Sequence, residues 1–207
     1  MRASSWATVA AVTKGRTLAS DAVIDLLGRA CDAFAERTGI VLVRDRLPRG
    51  SGGADEIVLE MPGYRQVDTF SCGAIAGLMV LHHFKPRASI DRFYRLADPH
   101  GRWGTSTRKV ATALRRHGIR VSVRESLTFA DLWQAISADR PVIACVNSRW
   151  SEDNHWLVIF GVCRRPRRVF VAGVGIPHWP AGKVLPWSTF RRMWAPAGNG
   201  LVCWVKA

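Results

Sequence analysis

Residues 66–84 read Gln-Val-Asp-Thr-Phe-Ser-Cys-Gly-Ala-Ile-Ala-Gly-Leu-Met-Val-Leu-His-His-Phe, a polar start that runs into an apolar stretch. The apolar part is long enough for about three helical turns. Asp68, Thr69 or Ser71 can cap such a helix, which places Cys72 in its first turn. A thiol there feels the positive end of the helix dipole and unpaired backbone N–H groups, and both favour the thiolate that attacks carbonyl carbon. Gly73 removes a side chain beside the sulfur and lets a substrate backbone approach. Gln66 stands close enough before Cys72 to offer its amide to the oxygen of a substrate under attack. Against this stands a plain alternative, a buried cysteine opening a core helix and packing as a small hydrophobe.

Which reading holds depends on the rest of the chain. Its 207 residues suit one large domain, or a domain with an N-terminal appendage, and 48% apolar content supports a real core. No apolar run approaches a membrane span, and residues 1–16 hold no compact signal-peptide core, so a soluble protein is expected. Five cysteines, an odd number with no Cys-x-x-Cys pair, suggest neither a disulfide framework nor a zinc site. A reducing compartment, the cytoplasm, fits them best.

The net charge of +14 favours acidic proteins, nucleic acid or anionic membrane as partners, unless it is simply an arginine-rich solvated surface. Its densest cluster is Arg164, Arg165, Arg167 and Arg168. No nucleic-acid motif accompanies it, and the nine tryptophans are scattered rather than interleaved with a basic stripe.

In chain order, residues 19–38 carry an amphipathic pattern with Ser20 as cap and Gly39 as stop, and 40–43 read as a short strand. Gly and Pro make 47–55 a linker, and 57–60 is a second short strand. After the Cys72 helix, stopped by Pro86, short helices are expected over 90–96, 105–117 and, capped by Thr128, through Ala138, with a strand at 121–123. Residues 142–146 form a fully apolar run of the buried kind. Residues 155–162 and 169–174 can pair across the Arg-rich turn at Pro166, before a helix over 188–194 and a closing strand over 201–205. Helices first and an antiparallel sheet afterwards give an α+β domain.

His155 follows a polar loop and opens an apolar strand, so it belongs at the rim of the sheet. A histidine there can meet a cysteine at a helix N-terminus, first as general base and then as general acid. The other histidines have weaker claims: His82 and His83 lie well along the helix, and His117 looks like a helix-end residue.

Gln66 with Cys72-Gly73 opening a helix, then Arg140-Pro-Val-Ile-Ala-Cys-Val, then His155-Trp-Leu-Val-Ile-Phe-Gly161 and a further strand, resembles papain-like cysteine peptidases. Within that group it most resembles the bacteriocin-processing family, which cuts leader peptides after a double glycine, and its relatives. The resemblance covers roughly residues 57–205 and implies a papain-like fold with a helical N-terminal half packed on an antiparallel sheet. It implies Cys72 as nucleophile, His155 as base, and Gln66 with the Cys72 backbone N–H as oxyanion donors, with no metal or organic cofactor. It implies cleavage of a peptide or isopeptide bond in a protein or leader-peptide substrate, and the chain's charge favours acidic ones. The chain then divides into an N-terminal extension, 1–55, of regulatory, docking or structural role, and a peptidase domain, 56–207.

One position departs from the family. An Asp or Asn that orients the histidine is expected after the next strand, where this chain reads Val169-Phe-Val-Ala-Gly-Val-Gly175, with Gly173 at the expected place. The departure predicts a slow enzyme with a reactive thiol. It also keeps open the alternative of a papain-like domain that binds a peptide or partner protein without turnover.

Overall fold

A computed structural model describes residues 12–13, 16–17, 29–34, 36, 43–45, 47, 50–65, 68, 70–147, 154–173, 182–194 and 199–205. The first elements are a pair of two-residue strands, β1 (Val12–Thr13) and β2 (Arg16–Thr17), and a helical stretch, α1, at 29–34. The rest of the helix expected over 19–38, Glu36 apart, lies outside the described residues. Next come β3 (Val43–Asp45), β4 (Glu56–Val58) and β5 (Gly63–Arg65), then α2 (Cys72–Phe84), α3 (Ile90–Ala97) and α4 (Thr107–Arg116). The second half holds β6 (Arg120–Glu125), α5 (Phe129–Ser137), β7 (Val142–Asn147), β8 (Asn154–Arg164) and β9 (Arg167–Gly173). It ends with β10 (Gly182–Pro186), α6 (Trp187–Trp194) and β11 (Asn199–Trp204).

The expected α+β architecture is what forms: helices packed on one antiparallel sheet of order β10-β9-β8-β7-β11-β6, with β4 added beside β8. β8 is the central strand. Its first half pairs with β7, from Asn147 opposite Asn154 to Val142 opposite Ile159. Its last residues pair instead with β4, Val58 opposite Gly161 through Glu56 opposite Cys163. The change of partner coincides with a register shift between Ile159 and Gly161 against β9. A Cβ at position 161 would stand 3.0 Å from the Ile57 carbonyl oxygen and 3.0 Å from Phe170 Cβ, so only glycine lets β4 and β9 approach there.

The sheet separates two cores. On one side α2 is buried from Cys72 to His83, with Val158, Phe160 and Phe170 beneath it and Ile90, Phe93 and Val110 of α3 and α4 around it. A helix apolar all round belongs at the centre of a domain, and this one takes that place. Phe34 of α1 joins the same core, edge-on to Tyr94 at 5.2 Å, as does Cys31. On the other side α5 and α6 cover Leu157, Ile159, Val169 and Val171 with Leu132, Ile136, Phe190 and Trp194.

Local signals match the helix starts. Ser89 and Ser106 accept from the Arg92 and Lys109 N–H groups, and Thr128 forms a reciprocal capping box with Asp131. The helix expected over 105–117 starts later because Ser106 takes the extended N-cap conformation, so the helix begins at Thr107. Strands β5 and β10 have no counterpart among the expected elements. Both are short, and pairing rather than hydrophobic alternation defines them.

Candidate active site

Cys72 is the first residue of α2, and the turn before it is tied by a single carboxylate. Asp68 Oδ1 accepts from the Phe70 and Ser71 N–H groups at 2.8 and 2.7 Å, and Oδ2 accepts from the Ser71 hydroxyl at 2.7 Å. Ser71 stands at the N-cap, but its side chain caps nothing, because it is committed to Asp68. Thr69 and Gln66, the expected oxyanion donor, lie outside the described residues. Beneath the turn, Tyr94 has its hydroxyl buried, and burial together with the Asp68 charge pushes its pKa up to about 12.

The Cys72 side is almost closed to solvent, with the residue 6% exposed. Burial pushes its thiol above the ordinary range. The N–H groups of Trp156, Gly73 and Cys72 face the sulfur and pull the other way, while the Asp68 carboxylate adds to the rise. The thiol therefore rests against the first residues of β8. Cys145, opposite Trp156 in the β7–β8 register, is close enough to feel the Cys72 charge; burial and that charge push its own thiol to about 11.

Gly73 carries a different duty from the one its sequence position suggests. A Cβ there would meet Thr105 Cβ and Trp156 Cδ1, each at 2.9 Å. The space beside the sulfur is thus filled by the chain's own side chains rather than left to a substrate. The Trp156 indole N–H donates to the Thr105 carbonyl at 3.0 Å, locking β8 to the loop before α4. That same loop carries Trp103, 74% exposed, with the Arg102 guanidinium 4.8 Å from its ring centre. Sequence reasoning missed this clamp, because its members meet only through tertiary packing.

His155 is the second residue of β8, buried and paired with Val146. Side chains alternate along the strand, so Trp156 turns to the α2 core while Val146 and Leu157, flanking His155, lie in the α5–α6 core. Gly173 pairs with Leu157, which puts position 173 one diagonal step from His155 on the same face. Diagonal neighbours lie about 7–8 Å apart between Cα atoms, within reach of a side chain. Of the alternative orienters, Asp153 and the loop 176–179 lie outside the described residues, and Asn154 is exposed at the strand start.

Three other histidines, His82, His83 and His117, are structural. His82 Nδ1 meets the Tyr64 hydroxyl at 2.6 Å and Nε2 the Ala88 carbonyl at 3.0 Å. His83 binds the Glu60 carbonyl at 2.9 Å and the Asp139 carboxylate at 2.8 Å. His117 closes α4 with Nδ1 on the Ala113 carbonyl at 2.8 Å. His82 and His83 spend both ring nitrogens holding α2 in place, and His117 spends one on α4.

Among solved structures, the chain is similar to a double-glycine motif protease from an AMS/PCAT transporter in complex with the leader peptide. That match has 17% identity, a TM-score of 0.54, and covers 78% of this chain and 97% of the other. It is also similar to the peptidase domain of ComA, a bi-functional ABC transporter of Streptococcus involved in quorum sensing, at 14% identity and TM-score 0.54, covering 73% and 99%. A C39-like peptidase from Bacillus anthracis gives TM-score 0.60 at 11% identity, covering 73% and 98%. At such identities these matches show the fold, which is the papain-like one expected. No curated protein matches the chain. The Peptidase C39 family matches residues 60–175, more than half of the 207, a span that holds Gln66, Cys72, His155 and Gly173. On that match, the chain belongs to the peptidase C39 family.

Proposed function

We propose that the protein is a cysteine peptidase that cleaves a peptide or isopeptide bond in a protein or leader-peptide substrate through an acyl-enzyme on Cys72. The observation that carries this reading is the position of the sulfur, at a helix N-terminus and against the backbone of Trp156, one residue from His155. His155 takes the thiol proton, the thiolate adds to the scissile carbonyl, and the amine leaves with that proton. Water, deprotonated by the same imidazole, then releases the acid and restores the thiol. The Gln66 amide and the Cys72 N–H hold the oxyanion in both steps. Strand alternation turns Trp156 rather than His155 toward α2, so this reading requires the imidazole to reach the sulfur around the rim where β8 begins. A leader peptide bound to the similar transporter protease supports a peptide ligand here. Five unbridged cysteines suit the cytoplasm.

The test is selective alkylation. Iodoacetamide at mild pH, followed by peptide mass mapping, should label Cys72 well ahead of Cys31, Cys145, Cys163 and Cys203. Uniformly slow labelling of all five would sink the reading.

A second reading is favoured by one observation, the glycine at the diagonal position where an orienting Asp or Asn is expected. It makes the protein a peptide-binding domain that does not turn over. Stoichiometric peptide binding with no cleavage by wild-type protein, and no Cys72 labelling, would decide for it.

A further inference from the structure

The end of β8 remote from Cys72 carries a second feature, a cleft of about 880 Å³ between α5, α6 and the β8–β9 turn. Arg164, Arg165, Arg167 and Arg191 line it, and among the described residues no carboxylate does. All four are exposed, and among the described residues none of them forms an ion pair. Two are held in place by rings: the Arg164 guanidinium lies 3.7 Å from the Trp133 ring centre, and that of Arg167 lies 5.5 Å from Phe129. A guanidinium resting over a ring keeps N–H groups for a further partner and loses less entropy when it grips a carboxylate.

We propose that this cleft docks an acidic peptide segment, a stretch of Asp and Glu on the substrate that the active site cleaves. The proposal rests on the peptide-ligand reading above. Charge complementarity selects the occupant: four cations in a concave site without acids ask for carboxylates. Single-stranded nucleic acid fits less well, because it needs open ring faces for its bases, and here guanidiniums cover the Trp133 and Phe129 faces. A bilayer needs protruding apolar side chains, whereas Trp133 and Trp187 are half-buried and Trp194 is buried in the cleft wall. From His155 to Arg164, β8 spans roughly 30 Å at about 3.3 Å per residue. The acidic segment therefore lies at least about eight to nine extended residues from the scissile bond.

The experiment is fluorescence anisotropy of a fluorescein-labelled ten-glutamate peptide with the full chain at about 150 mM salt, where unfocused surface charge is screened within about 8 Å. Arg164→Glu/Arg167→Glu/Arg191→Glu should weaken binding at least about tenfold. The same charge change on α3 and its approach, Arg87→Glu/Arg92→Glu/Arg95→Glu, should cost less than about threefold. The neutral set Arg164→Gln/Arg167→Gln/Arg191→Gln, with melting checked by circular dichroism, guards against a reversal that fails to fold, and should lose at least about fivefold. Cys72→Ala should bind as wild type, so an enzyme that never cleaves would leave this result standing. Equal losses in both glutamate triples, with turnover intact, would overturn the cleft and leave the peptidase. Tighter binding of a labelled oligothymidylate, or of phosphatidylserine vesicles, through the same three arginines would overturn the peptide as occupant.

Discussion

The two ends of β8 are built on opposite principles. At the Asn154–His155 end the strand meets α2, the surroundings are apolar and closed, and the polar groups facing the sulfur are backbone N–H groups and one carboxylate. At the Arg164 end the strand opens to solvent and presents cations laid on aromatic rings. Much of the densest positive charge of the chain is therefore kept about a strand length away from Cys72. In a closed site a fixed dipole acts at low dielectric and needs no large charge, whereas in an open cleft several charges are needed to outweigh screening. The contrast suggests chemistry at one end and recognition at the other, and it can be broken at either.

The sharpest break is at the sulfur. Cys72→Ala should abolish turnover of any genuine substrate while leaving the melting temperature close to wild type, measured by a cleavage assay and circular dichroism. Residual full activity would remove the rim from the chemistry. His155→Ala should cost roughly 10²–10⁴ in turnover, the range of a lost general base. It should also move the pH profile of Cys72 alkylation. Burial raises the thiol pKa, so without an imidazolium to oppose it the thiolate appears only at higher pH. An unchanged profile would mean that the two residues do not interact. Gln66→Ala should lower turnover by roughly 10²–10³ and spare alkylation, because an oxyanion donor acts on the transition state and not on the thiol.

The intermediate test concerns Gly173. Gly173→Asp or Gly173→Asn adds a side chain on the face of His155, one diagonal step away. Turnover should rise by about tenfold, a part of the ~10²–10⁴ that a well-aligned base supplies. The effect should be confined to the rim: binding of a glutamate peptide at the far end should not change. If the strand rejects the side chain, melting falls together with activity, and the two outcomes separate in a thermal scan. A folded variant with unchanged kcat would mean that His155 is held by something else.

Features written within a few residues of one another are legible in the sequence. The Thr128 cap, the Arg-rich turn between β8 and β9, and Cys72 opening an apolar helix all appear where expected. Features made by distant segments are not legible in that way. Gly73 looks like an opening for substrate, but Thr105 and Trp156 fill the space, and neither is near it in sequence. Arginines 164–168 can be read as charge, yet nothing local indicates that Trp133 and Phe129 serve as their shelves. His82 and His83 sit side by side on α2, and their roles depend on Tyr64, Ala88, Glu60 and Asp139, which only packing brings to them. Short strands such as β5 and β10 depend on their partners in the same way.

The smallest expected effect is at the recognition end, where it sharpens the contrast without touching chemistry. Thr128 caps α5, its hydroxyl accepting from the Asp131 N–H at 3.2 Å while the Asp131 carboxylate receives the Thr128 N–H at 2.8 Å. Thr128→Ala should cost about 1 kcal/mol, the usual loss for such a cap, read as a lower urea midpoint at constant slope. The hydrogen bonds from the Thr128 hydroxyl and backbone hold the Asp131 carboxyl below its usual range. A carboxyl with a depressed folded pKa contributes stability above its unfolded value of about 3.9 and loses it as pH falls through the folded value. Urea midpoints should therefore fall less between about pH 5 and pH 3 in Thr128→Ala than in wild type. Because α5 covers the sheet face away from α2, Cys72 alkylation and turnover should stay at wild-type levels in the same variant. A fall in turnover at unchanged stability would show that the two ends of β8 are coupled, and would replace a division of labour with a single cooperative site.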